Sequence, residues 1–427
     1  MVLQLWGCQG PVSTILPPEE RPPLEDEDTT PAPDTADAPD TEIKDTEQDT
    51  ETEVIQGDGE PEEPEDGAWL FDGSIVHDVS LTIDENSWNS LMVAPREYAL
   101  ATFEIGGKES VVVHIRAKGN TSFRTIDDKP SLVIDFNRQV EDQELDGLSS
   151  VYMQNMTYDP SMMHEHHAYM FFREVGVPAS RTAYANLTVN GENYGLYLFL
   201  EKQNRVYRKR WWTDPDGSMF ESGSFNWPCD LNRDCNCFEI DELAEGGEQA
   251  LMDLCAAVNT SDESWLEAAR ERLDWERFLN AMSAEMVISH YDNYGFSTNN
   301  FRIYHDPTDD VWGFTPWSTD LSFGWYPWFE NPHCGEHGQS PKDYSSGYLI
   351  SRCWSNPECS AELQAAIRRQ AEMLESMDMP TRIGETYEMI DEYIAADTRR
   401  WYSDWWVDKE VECMIEWAEG RPSALLE

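Results

Sequence analysis

A chain of 427 residues with 40% apolar side chains is long enough to bury a large core, and its 83 acidic against 30 basic residues give a net charge of −53. That charge excludes a general binder of nucleic acid or of anionic membranes, since both need a positive field, and it favours bound cations. The 17 Trp, 17 Tyr and 16 Phe promise an aromatic core and aromatic clefts.

Met1 to Gly10 is too short for a complete signal peptide. Leu5-Trp6-Gly7-Cys8 is nevertheless similar to the lipobox of bacterial lipoproteins, so residues 1–8 are expected to be a signal remnant with a lipid anchor at Cys8. Residues 9–67 hold 21 acidic residues against Arg21 and Lys44, with abundant Pro and Thr. Such a composition cannot offset chain entropy by burial, and a disordered acidic linker is expected. No later stretch approaches the 18 apolar residues of a membrane span, so Cys8 is the one membrane attachment expected.

From Ala68 the pattern changes. Val79, Leu81 and Ile83 alternate as a strand, Glu85 to Met92 reads as a short helix, and Ala99 to Ile105 with Ser110 to Ala117 reads as a hairpin turning at Gly106-Gly107. A polar loop (Gly119, Asn120, Thr121, Ser122) then leads to Lys129 and a strand from Ser131 to Phe136. Strand, flexible loop and a strand bearing a Lys is the layout that holds nucleotide phosphates, although a plain hairpin with a polar tip would read the same way. After a link at Asp146 to Asn155, Asp159-Pro160-Ser161 starts a helix whose apolar face ends near Gly176. On it Glu165 is placed to pair with Lys129. His164, His166 and His167 read as a solvated helix face rather than a metal site.

Asn190-Gly191 between Ala183 to Val189 and Tyr194 to Glu201 marks a second hairpin. The basic run Arg205, Arg208, Lys209, Arg210 is either a solvated helix face or a patch for phosphate or an acidic substrate. Residues 213–247 read as a loop-like, Cys-containing insertion. Helices follow at Ala250 to Val258, Asp262 to Glu271, Trp275 to Ser289, Cys359 to Met377, Pro380 to Asp397 and Lys409 to Glu419. Setting Cys8 aside, eight cysteines cluster in loop-like sequence with spacings unlike C-x2-C zinc ligands, which favours up to four disulfides made in an oxidising compartment.

Between the helices lies the stretch Val287 to Trp325, in which Asp292, Asn300 and Asp320 flank a hairpin turning at His305 to Asp310. Each of these residues alone is a common turn residue. Together, an Asp to accept a proton and an Asn plus an Asp to hold Mg²⁺ or Mn²⁺ are what phosphoryl transfer to a hydroxyl requires.

The run NNFRIY, an acidic turn and W-x-F-x-P-W-x-x-D-L-S-F-G resembles the distinctive segment of the CotH family, atypical protein kinases named for a spore-coat protein. Arg116, Lys118, Gly119, Asn120 and Ser122 follow that family's R-x-R-G-N-x-S, and Asn190, Gly191, Gly195, Tyr197 and Glu201 its N-G-x-x-x-G-x-Y-x-x-x-E. The family's P-W-D-x-D departs here to Pro316, Trp317, Ser318, Thr319, Asp320.

The resemblance implies an α+β, kinase-like two-lobed domain over 68–425, with a β-rich N-lobe over about 68–203 and a helical C-lobe over about 204–425. It also implies Asp292 as catalytic carboxylate, Asn300 and Asp320 as metal ligands, and ATP contacts from Arg116, Lys118, Asn120, Ser122, Lys129 and Glu165, with Glu201 near the adenine at the interlobe link. The function implied is ATP-dependent phosphorylation of protein Ser or Thr hydroxyls outside the cytoplasm, by a monomer without a nucleic-acid partner. A surface pseudokinase scaffold, suggested by Ser318, and a carbohydrate-binding surface lipoprotein, suggested by the many Trp, are the alternatives.

Overall fold

The computed structural model describes residues 66–223, 229–232, 235–326 and 338–426. Cys8, Cys334 and all of the acidic 9–67 stretch except Asp66 and Gly67 lie outside the described residues. The architecture is mixed α+β.

Alternating apolar residues curl the first part into a closed barrel. In β1 (Val76–Thr82), β2 (Ala99–Ile105) and β3 (Val111–Lys118), buried residues alternate with exposed or half-exposed ones, as strands with one solvated face require. The helix α1 (Glu85–Val93) bridges the first two, and the Asp84 side chain accepts from the Asn86 and Ser87 amides at its N-terminus. β4 (Ser131–Asp135) and β5 (Ser150–Gln154) follow, and then α2 (His164–Glu174), β6 (Thr182–Val189) and β7 (Glu192–Glu201).

The barrel order is β1-β2-β3-β4-β5-β7-β6, closed by the parallel pairing of β1 with β6. β4, β5 and β7 are buried on both faces because the barrel interior takes one face and α2 with the helical part the other. Thus Tyr197 and Phe199 join the barrel core, while Leu196, Leu198 and Leu200 meet the core that holds Phe171 and Phe172. β5 lies in the segment that the sequence suggested was a link. Its five residues are too few to show a period against a polar surround.

The hairpin at Asn190-Gly191 forms as expected. Asn190 and Gly191 both have positive φ (49° and 84°), and the Asn190 side chain bridges the N–H and C=O of Ile83.

Beyond α3 (Arg205–Lys209) the expected loop insertion contains two strands, β8 (Ser218–Glu221) and β9 (Glu239–Glu242). They extend β10 (Phe301–Asp306) and β11 (Val311–Pro316) into a four-stranded antiparallel sheet ordered β11-β10-β8-β9. The disulfide Cys229–Cys237 lies within this region, and Cys235–Cys255 fastens it to α4 (Gly247–Val258). α5 (Trp265–Arg272), α6 (Trp275–Val287) and the single turn α7 (Tyr294–Ser297) precede the hairpin. α8 (Tyr348–Ser355), α9 (Pro357–Ser376), α10 (Met379–Ala396) and α11 (Asp404–Leu426) complete the helical part. Cys353–Cys359 joins α8 to α9, and Cys413 is also disulfide-bonded. Among the described residues, no helix is long and apolar enough to cross a membrane.

The basic run around α3 is not a free patch. Arg205 pairs with Asp216, Arg208 donates to the Pro215 carbonyl and reaches Glu242, and Arg210 binds Glu201. The three histidines of α2 are not a solvated face either: His164 and His167 are fully buried. His164 sits between Asp159 and Glu410; burial alone would lower its pKa, but the two carboxylates outweigh that and hold it up at about 10. His167 donates from Nδ1 to the Met163 carbonyl, and burial lowers its pKa to about 4.

Candidate active site

The backbone on either side of the hairpin brings the two key aspartates together. After α6 the chain turns at Ser289, and Tyr291 N–H then donates to Leu321 O (2.8 Å) while Phe323 N–H donates to Ile288 O (2.6 Å). The segment entering Asp292 therefore lies beside the segment leaving Asp320. At the mouth of the hairpin, Trp317 N–H donates to Asn300 O at 3.0 Å. Ser289, Thr298, Asn300, Ser318 and Phe323 all adopt left-handed φ between 48° and 57°. Such conformations are unfavourable for side-chain-bearing residues, and their clustering marks a segment held in shape by its surroundings.

Asp292 is held by four side-chain hydrogen bonds. Ser297 Oγ donates to Oδ1 (2.8 Å), Asn299 Nδ2 reaches both oxygens (3.1 Å each), and Asn300 Nδ2 donates to Oδ2 (2.8 Å). Because Asn300 spends its amide N–H on Asp292, its Oδ1 remains as an acceptor. Beneath them the Asn293 side chain caps α7, and the buried Glu285 of α6 accepts from the Tyr294 and Gly295 amides. Burial nevertheless pushes the Glu285 carboxyl up to about 8.

Asp320 accepts from Ser318 Oγ at 3.2 Å. Burial, then the charge of Asp159, with Asp292 adding to it, pushes Asp320 up to about 6. Glu165 on α2 is buried, its Oε1 has no hydrogen-bond partner, and burial with the nearby Asp320 raises its pKa. Carboxylates thus converge from α2, the loop before α7 and the end of the hairpin.

The opposing cation is Lys118, at the end of β3. Its Nζ donates to Gln154 Oε1 on β5 (3.0 Å) and lies over the rings of Tyr152 (4.7 Å) and Trp317 (5.1 Å). Burial lowers the Lys118 pKa and the charge of Glu165 pulls it back up; Gln154 also hydrogen-bonds Glu165. Arg302, next to the hairpin mouth, covers Trp317 at 4.0 Å and binds Glu221.

Two residues expected at the site are engaged elsewhere. Lys129 was set against Glu165, but its buried ammonium forms an ion pair with Asp397, just beyond α10, and so has its counter-charge already. Asp397 also accepts from the Leu196 and Arg399 amides, and Gly195 (φ 88°) leaves the space it fills: a Cβ there would collide with its carboxylate. That explains the second glycine of the Asn190 motif.

Glu201, expected near adenine, uses both carboxylate oxygens on Arg181 and Arg210. It does stand where the barrel ends. Arg116 rests on Tyr98 (5.3 Å), Asn120 is exposed, and the Ser122 carbonyl accepts from Asn155. The structure thus brings together Lys118, Glu165, Asp292, Asn300 and Asp320. Gln154, Asp159, Arg302 and Trp317 complete the setting. Of these, Asp159 had a signal in the sequence as a helix start, and Arg302 and Trp317 fell within the stretch that carries the family resemblance, whereas Gln154 had none.

The donor set suits a divalent cation with phosphates. The carboxyls of Glu165 and Asp320, raised by burial and then by neighbouring carboxylates, are relieved by a positive charge, and Asn300 Oδ1 with the Asp320 carboxylate offers hard oxygen ligands. Among the described residues no three His, Cys, Asp or Glu side chains form a metal-binding group, so phosphate oxygens and water would supply the remaining positions.

A lysine at the rim of the barrel, buried carboxyls and an amide on the hairpin thus gather in one place, and the comparisons relate the chain to a kinase family. The family model described as CotH kinase protein matches residues 115–425, from β3 to α11, and the chain belongs to that family. Inner spore coat protein H of Bacillus subtilis is 22% identical over 295 residues, covering 65% of this chain and 78% of that protein. Invasin CotH2 of Rhizopus delemar is 25% identical over 187 residues, covering 40% of this chain and 32% of that protein. Among solved structures, the HipA, HipB and operator DNA complex of Shewanella oneidensis MR-1 matches at 12% identity, with a TM-score of 0.34 over 72% of this chain and 66% of that one. The Helicobacter pylori proinflammatory kinase CtkA matches at 11% identity and TM-score 0.30, over 70% and 95%.

Proposed function

We propose that the protein is an ATP- and divalent-metal-dependent kinase that phosphorylates Ser or Thr hydroxyls of proteins outside the cytoplasm, as a monomer attached to a membrane through lipid at Cys8. The observation that carries this reading is the Asp292–Asn300 contact of 2.8 Å, which fixes the carboxylate and leaves Asn300 Oδ1 as an acceptor, in a site where Asp292 acts on the buried charge of Asp320. Asp292 orients the acceptor hydroxyl and takes its proton, because its four hydrogen bonds hold one orientation. Asn300 and Asp320 hold Mg²⁺ or Mn²⁺, which when bound neutralises phosphate charge.

Lys118, rather than Lys129, bridges the phosphates, with Glu165 as its counter-charge. Arg116, Asn120 and Ser122 lie on the strand and loop that close over them. The three disulfides between described cysteines fit an oxidising compartment.

The test separates binding from transfer. Asp320→Ala abolishes metal-dependent ATP binding, whereas Asp292→Ala retains it and loses transfer by roughly 10² or more, the scale of a lost acid–base group. Calorimetry and phosphorylation of a generic acceptor protein read the two, and equal loss of ATP binding in both variants contradicts the assignment. A scaffold that binds ATP without transferring it is the second reading, favoured by Ser318 donating to Asp320 where the family carries an aspartate.

A further inference from the structure

The sheet that carries Asn300 and leads into Asp320 ends on β9, and among the described residues no strand lies beyond it. All four residues of β9 are exposed, so one row of its backbone N–H and C=O groups faces outward, a template for an added strand. Beside this edge lies a groove of about 510 Å³ lined by Phe220, Phe238, Ile240, Leu243, Leu251 and Met252. Phe220 and Ile240 are register partners and share its floor. Ile240 and Leu243 remain 51% and 48% exposed, uncommon for aliphatic side chains unless something covers them.

The rim is acidic. Asp241 and Glu242 are answered by Arg302 and Arg208, which leaves Glu239, Glu245 and Glu248 exposed without an ion pair among the described residues.

We propose that this edge and groove dock an extended, basic and apolar segment of the protein substrate. Charge complementarity selects that occupant: the chain's own 9–67 stretch is itself acidic, and a second copy would bring the same acidic rim, so both are repelled. The position suits delivery to the site. Glu239 pairs with Glu221 and Glu221 with Arg302, so β9 begins on the row two residues from Asn300. An added strand lies three strand spacings from β10, roughly 14 Å, which an extended chain crosses in about four or five residues. The acceptor hydroxyl therefore sits about five residues from the docked segment.

The role assigned to the docking rests on the kinase reading, but the binding does not, and the test keeps them apart. A labelled peptide of alternating Lys and Val, followed by a Gly-Ala spacer of about five residues and a Thr, is titrated against the full chain without ATP, by fluorescence anisotropy. Wild type binds it. Ile240→Lys, and separately the triple Glu239→Lys, Glu245→Lys, Glu248→Lys, weaken binding by about tenfold or more while ATP and metal affinity stays unchanged. N-methylation of alternate peptide amides weakens it likewise.

Wild type that binds ATP and metal but not the peptide overturns the proposal, as does binding indifferent to both variants. Self-association abolished by Ile240→Lys in sedimentation gives the edge to a second copy and overturns it too. A peptide that docks through Ile240 and whose Thr stays unmodified once ATP and Mg²⁺ or Mn²⁺ are added leaves the docking surface standing and removes the kinase reading instead.

Discussion

Two lysines stand at the ends of one loop, Lys129 buried and Lys118 half-buried, and they meet their carboxylates differently. Lys129 touches its carboxylate, Asp397, directly; Lys118 reaches its carboxylate, Glu165, only through the field, with Gln154 hydrogen-bonded to both. A closed pair has used its charge on the fold. An open pair retains donors for an incoming anion, and the orphaned Glu165 Oε1 shows that the site is not satisfied by the protein alone. A lysine in a phosphate-binding sequence context is therefore assigned by its counter-charge, and here the two readings separate cleanly.

The largest effect expected is on the closed pair. Asp397→Asn leaves a buried ammonium uncompensated and lowers unfolding free energy by about 3 kcal/mol or more, whereas Lys118→Met changes it by about 1 kcal/mol or less. Denaturant titration measures both, and similar losses would erase the distinction. Replacing the pair together, Lys129→Met with Asp397→Leu, recovers most of the loss, because no charge is then left unmatched.

The next effect is of pH on the fold. His164 has a folded pKa raised to about 10 from an ordinary 6.5, so the stability it contributes is fully present below pH 6.5 and is lost as pH rises through 10. Thermal unfolding of wild type and His164→Gln should converge across that window; a gap that persists at pH 10.5 would show that the imidazolium is not what Asp159 and Glu410 hold.

A smaller effect concerns the open site. Asp320 must be ionised to bind a cation, and burial with Asp159 holds its carboxyl at about 6, so metal-dependent ATP affinity falls as pH drops below 6 and levels off above it. An affinity flat from pH 5 to 7.5 would place the metal elsewhere.

Local pattern carried much of this to the reader of the sequence. Alternation marked β1, the Gly106-Gly107 turn marked β2 and β3, the apolar run after Lys129 marked β4, Asn190-Gly191 marked the β6–β7 hairpin, and the cluster of Asp292, Asn300 and Asp320 was visible because hairpin geometry brings strand ends together. What local pattern could not show is partnership across the chain. Asp397 lies 268 residues from Lys129, at an unremarked helix end, and nothing near either residue announces the other. β5, β8 and β9 have four or five residues each, too short for a period, and they exist because neighbouring strands already offer edges. The histidines of α2 looked solvent-facing because His is polar. Asp159 and Glu410, one of them from α11, make burial of that charge tolerable.

The most direct test of the account is isothermal titration of ATP with Mg²⁺ or Mn²⁺ into wild type, Lys118→Ala and Lys129→Met/Asp397→Leu. The account predicts that wild type binds, that Lys118→Ala weakens binding by about ten- to a hundredfold, as loss of a charged hydrogen bond implies, and that the double variant binds as wild type does. Wild type that binds no nucleotide with either metal, or affinity lost in the double variant and kept in Lys118→Ala, would contradict it.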